Sequence, residues 1–165
     1  MIHWLGEDGT MTPLIRRYIK TSFVFLLLGL GLGAYITVEV NVRGRGVPWP
    51  LITAHVHLLL VGFMLMMVFG VATWMFPRPG KDDARYHPWL AWLPSVVYWT
   101  LAVSTAARLV GEIGAAASGT RGSLLAALGG LGQLVAAILF TVNMWRRVRM
   151  PAASVRSTAP SGAKP

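Results

Sequence analysis

Two histidines stand two residues apart in "TAHVHLLLVG", residues 53 to 62. An imidazole inside a long apolar run is costly, and an ionisable side chain in such a run points to function. The chemistry open to it is metal or haem ligation; the competing reading is that one histidine caps the helix or faces the headgroups. Residues two apart on a helix lie about 200° apart, so His55 and His57 cannot chelate one metal from a regular turn. The spacing therefore predicts one ligand and one bystander. His55 shares its side with Leu59, Gly62, Met66 and Gly70, and His57 with Leu60, Val61, Met64 and Val68. Glycines below a histidine leave a flat recess, in which a haem ring could lie or another helix could pack. This favours His55 as the metal ligand, with His57 second. Of the other histidines, His3 sits in a polar N-terminal stretch and His87 precedes a proline at a span edge. Met64, Met66 and Met67 are better read as core filler than as ligands.

The elements that must hold these residues are legible from composition. The chain has 165 residues, 55% of them hydrophobic and 13% charged, with a mean hydropathy of +0.57. Such a chain has a bilayer as its solvent. Four apolar runs stand out: Thr21 to Val38, Leu51 to Phe76, Trp89 to Val110 and Leu124 to Trp145. Each is about 18 to 26 residues, enough to cross a hydrocarbon core of about 30 Å. The first run lacks a small-residue cleavage site and is read as a retained helix rather than a signal peptide. The expected fold is all-α, a four-transmembrane-helix bundle over residues 1–150. Residues 151–165, rich in Ala, Ser, Pro, Gly and Lys, are read as a disordered polar tail.

The net charge is +9, but the charges flank apolar runs instead of forming a basic face, so nucleic acid is not an expected partner. Arg16, Arg17, Lys20, Arg78, Lys81, Arg85, Arg146, Arg147, Arg149, Arg156 and Lys164 fall on one side of a four-span layout. Arg43, Arg45 and Arg121 fall on the other. The positive-inside rule then places both termini and the tail in the cytoplasm, and His55 and His57 in the outer leaflet. No cysteine is present, which excludes thiolate ligands, iron–sulfur clusters and covalent haem attachment.

"TAHVHLLLVGFMLMMVFGVATWMFPRP" resembles the second transmembrane helix of the haem–copper oxidase catalytic subunit. It is similar, more closely, to short, roughly four-helix bacterial membrane proteins described as oxidase subunit I-like. The positions that carry the likeness are His55-Val56-His57-Leu58, Gly62, Gly70, Trp74 and Pro77. The resemblance spans about 25 residues; beyond them it rests on layout and hydropathy. It implies a bacterial inner-membrane protein that binds non-covalent b-type haem through His55, for electron transfer or for handling a diatomic gas such as O2 or NO. It also implies a possible oxidoreductase with a respiratory-chain or electron-donor partner. A complete oxidase is not implied, because the copper ligands, the second haem ligand and the cross-linked tyrosine of that family have no counterpart here. Copper binding is left open.

A haem at His55 would direct its propionates toward the outer surface, where Arg43, Arg45, Arg108 and Arg121 are the available cations. Arg108 precedes Glu112 by four residues, so a helical ion pair is the competing reading. No second outer-leaflet histidine lies on another helix, so a homodimer sharing one iron between two copies of His55 is expected. The alternative function is a haem-free accessory or assembly subunit, docking through the glycines of the first and fourth helices, among them Gly129, Gly130 and Gly132. A transporter is disfavoured because no span carries a buried carboxylate or an obvious broken-helix pair.

Overall fold

The computed structural model describes residues 12–76, 89–120 and 122–148. His3, His87, Arg121, Pro77 and the tail 151–165 lie outside the described residues. Every regular element among the described residues is helical. Helix α1 is Pro13–Asn41, α2 Trp49–His57, α3 Met66–Met75, α4 Trp89–Ala117 and α5 Leu124–Val148, with a π-helical segment, Leu58–Leu65, joining α2 to α3. The four long apolar helices, Pro13–Asn41, Trp49–Met75, Ala91–Ala117 and Leu124–Trp145, are each long enough to cross a membrane. The chain is an all-α, multi-pass four-helix membrane bundle.

The helix starts follow from local chemistry. Pro13 and Pro50 occupy first turns, where a missing N–H costs nothing and the fixed φ suits the helix. Gly44, at φ 61° between α1 and α2, takes a left-handed conformation that side chains disfavour. Pro94 lies inside α4. The Tyr18 hydroxyl, from α1, donates to its carbonyl at 2.9 Å.

Contacts run largely in chain order: α1 packs along the second span, the second span on α4, and α4 on α5. Tyr18, Phe25, Leu58, Met66, Phe69, Val97, Tyr98, Leu101 and Ala136 form the core. Polar pairs tie the helices, Thr21 to Tyr98 at 2.8 Å and Gln133 to Thr105 at 3.2 Å. Such pairs help associate helices where no hydrophobic difference from lipid exists. Large apolar side chains on the outer faces, such as Leu27, Leu60, Leu131 and Ile138, are exposed, as lipid contact requires. Trp49, Trp74 and Trp145 stand exposed near span ends, matching an aromatic belt. Met66 is fully buried in the core, while Met64 is exposed.

The π segment explains a regularity in the second span. Ala54, Leu58, Gly62, Met66 and Gly70 are all buried at a constant spacing of four. In an α-helix each four-residue step overshoots a full turn by about 40°. The wider π turn rotates less per residue and offsets that drift. Gly62 and Gly70 therefore both face α1. A Cβ on Gly62 would come within 2.8 Å of Phe25, and one on Gly70 within 2.7 Å of Tyr18.

Two expectations need correction. The sequence reading placed no buried carboxylate in a span, but Glu39 and Glu112 are both buried. The helices continue past the apolar runs, to Asn41 and Ala117, and each carboxylate is paired four residues away, with Arg43 or Arg108. That ground for disfavouring a transporter is removed. The second correction concerns Gly129, Gly130 and Gly132. They do not form an outward docking face: Gly129 and Gly132 pack on Ser104 and Arg108 of α4, and Gly130 on the Arg108 guanidinium.

Candidate functional site

The two histidines leave opposite sides of α2 and meet different neighbours. His55 turns to α1. Its Nδ1 lies 2.8 Å from the Gly29 carbonyl. A carbonyl only accepts, so Nδ1 carries the proton and donates it. Nε2 of the neutral ring is then the unprotonated nitrogen, the form that binds a metal. Gly33 makes room for the ring: a Cβ there would stand 2.5 Å from His55 Cε1 and 2.9 Å from Nδ1. The imidazole thus rests against bare helix backbone and is fixed by one hydrogen bond. It is half-buried.

His57 turns to α4. Its Nδ1 donates to the Thr53 carbonyl at 2.8 Å, one turn back on the same helix. The same nitrogen lies 3.9 Å from Glu112 Oε1, too far for a direct hydrogen bond. Glu112 Oε1 accepts instead from Arg108 Nε at 2.9 Å. The helical ion pair read from the spacing of Arg108 and Glu112 is present. His57, which shares its side with Leu60, Val61, Met64 and Val68, packs toward α4.

The recess below His55 takes the second of the two options open to it. Phe25 and Tyr18 fill the notches at Gly62 and Gly70, so another helix packs there. A haem fits this arrangement at one atom and not as an enclosed ring. The Gly29 carbonyl orients the ring through Nδ1 and leaves Nε2 as the nitrogen that could ligate, but the interior beside it is occupied by α1.

The arginines fall into two groups. Arg43 pairs with Glu39, whose other oxygen is 3.9 Å from Arg45. Arg108 belongs to the Glu112 cluster. The sequence reading missed Glu39 and Glu112 as site residues, although each stands four residues from an arginine, the spacing of a helical ion pair.

Beside Glu112 lies a cavity of about 260 Å³, lined by Trp49, Thr53, Arg108, Glu112, Ser123 and Ala126 among others. It sits where α2 and α5 begin and α4 nears its end. It is smaller than the roughly 300–1,000 Å³ of pockets that enclose drug-sized ligands, and neither His55 nor His57 lines it. It is not a haem pocket. No family model, characterised protein or solved structure matches the chain.

Proposed function

We propose that the chain is a b-type haem-binding membrane protein, similar to oxidase subunit I, that serves electron transfer or the binding of O2 or NO. The observation that carries this reading is His55. Its Nδ1–H is donated to the Gly29 carbonyl, which leaves Nε2 as a ligand in a ring held against Gly33. His57 is the second candidate, with its Nδ1–H likewise donated to a carbonyl. Because α1 occupies the glycine face, a macrocycle held by His55 would need a second covering surface at the edge of the bundle. A second copy of the chain, in a two-fold homodimer, supplies one together with a second His55. The charge asymmetry across the spans orients both termini to the cytoplasm, and the resemblance to oxidase subunit I-like proteins implies a bacterial inner membrane. The site then lies in the outer leaflet.

The experiment is an absorption spectrum of the purified protein, oxidised and reduced, with and without carbon monoxide, beside His55→Ala and His57→Ala. The expected result is a Soret band that His55→Ala largely removes and His57→Ala reduces less. Equal haem content in wild type and His55→Ala ends the assignment.

One observation favours a second reading, a haem-free accessory or assembly subunit. The recess that could have received the ring is filled by Phe25 and Tyr18. Absence of a Soret band from protein made in haem-replete cells selects this reading.

A further inference from the structure

Glu112, which lines the cavity, carries an uncompensated oxygen. Glu112 is 4% exposed. Its Oε1 accepts from Arg108, but its Oε2 is buried and receives no hydrogen bond among the described residues. A buried carboxylate oxygen demands a donor. His57 does not provide one, because its Nδ1–H is donated to Thr53.

The charges around the cavity narrow the class of ligand. Glu112 and Arg108 bring one negative and one positive charge, so the site is neutral overall but has two separated poles. It disfavours a net anion or a net cation and suits a zwitterion. The start of α2 at Trp49 and of α5 just after Ser123 both border the cavity. In α2 Pro50 has no N–H and the Leu51 N–H is donated to the Pro48 carbonyl, so it is the first turn of α5 that adds positive potential at the cavity.

Depth in the bilayer narrows it further. Helix α4 has 29 residues, about 43 Å at 1.5 Å per residue, against a hydrocarbon core of about 30 Å. A centred helix projects about 7 Å beyond the core at each end. Glu112 stands five residues before the end at Ala117, about 7.5 Å along the axis. The carboxylate is therefore at the boundary between acyl chains and headgroups.

We propose that this cavity binds the headgroup of a phospholipid whose ammonium carries at least one N–H, donated to the Glu112 carboxylate, while its phosphate meets Arg108. The hydrogen bond separates phosphatidylethanolamine from phosphatidylcholine. Both are zwitterions, but the quaternary ammonium of choline has no N–H to donate. The proposal is independent of haem.

The test uses the full chain, delipidated in detergent and titrated with lipids of identical acyl chains, with bound lipid counted by native mass spectrometry. Phosphatidylethanolamine and its N-methyl and N,N-dimethyl forms should be retained over phosphatidylcholine by about tenfold, roughly the worth of one charge-assisted hydrogen bond. The preference should vanish in Glu112→Leu/Arg108→Leu, which removes both charges together and so leaves neither buried alone. Equal retention of phosphatidylcholine by the wild type overturns the proposal, and this arm needs no variant to fold. So does a preference that survives in the double variant. Displacement of the lipid by free phosphoethanolamine at equal concentration would assign the site to a soluble ligand. Displacement by an equimolar hydroquinone would assign it to a different class. Either result also overturns the lipid assignment.

Discussion

The imidazole of His55 lies against Gly33, close enough that a single methyl group on the glycine would reach within 2.5 Å of Cε1. Gly33→Ala should therefore push the ring off α1 and break its hydrogen bond to Gly29. Overpacking of this kind costs about 1–3 kcal/mol. The expected result is a lower melting temperature and a lower Soret absorbance per chain. Gly31→Ala is the control, because a Cβ at Gly31 meets nothing within 4 Å; it should match wild type in both measurements.

Haem stoichiometry tests the shared site. One iron held by His55 from two chains gives a haem-to-chain ratio near one half, a low-spin spectrum and a dimer in detergent. A ratio near one with a high-spin, CO-sensitive spectrum rejects sharing and makes gas binding the stronger reading.

Arg108 and Glu112 form a pair in which the carboxylate side chain is 6% exposed and the guanidinium 22%. Arg108→Leu leaves the buried carboxylate without its cation, a loss of about 3–5 kcal/mol for a buried pair. Removing both charges in Arg108→Leu/Glu112→Leu should recover most of that stability. Thermal unfolding in detergent measures the difference. If the single and double variants melt together, the pair is not structural.

The two groups of arginines give separable expectations for the propionates. Arg43→Gln/Arg45→Gln alters the cluster at Glu39, and Arg108→Gln alters the cluster at Glu112. If propionates are held at the end of α1, only the first variant lowers haem retention during dilution. Adding Arg121→Gln to both completes the set; unchanged retention then removes any propionate role for these arginines.

The absence of cysteine gives a clean background for testing orientation. Val42→Cys and Ser118→Cys sit at exposed positions and should react with a membrane-impermeant maleimide added outside intact cells. Ser157→Cys should react only after lysis. The reverse pattern inverts the topology.

The number and order of the spans were legible because apolar length alone decides whether a helix can cross a bilayer. The span ends were not. Hydropathy drops at Glu39 and after Val110, yet the helices continue, because an arginine one turn away neutralises each buried carboxylate. The partition of His55 and His57 onto opposite faces followed from a 100° rotation per residue. What lies against each face did not, since that depends on which helix comes alongside. The choice between a ring and a helix in the recess at Gly62 and Gly70 was open in the sequence for the same reason. Nothing in "LLLVGFML" marks it as π-helical; the widened turn answers to the packing of Phe25 and Tyr18, which lie 33 or more residues earlier in the chain.

The widened turn also sets a phase. The histidines precede it, while Gly62 within it and Gly70 beyond it seat against α1. Deleting Val61 would let the segment close into ordinary α-helical turns, yet it would rotate everything from Gly62 onward relative to His55 and His57. The imidazoles could keep their seats only if Gly62 and Gly70 left theirs. Chain length between residues 58 and 65 therefore fixes the face on which His55 and His57 stand relative to Gly62 and Gly70.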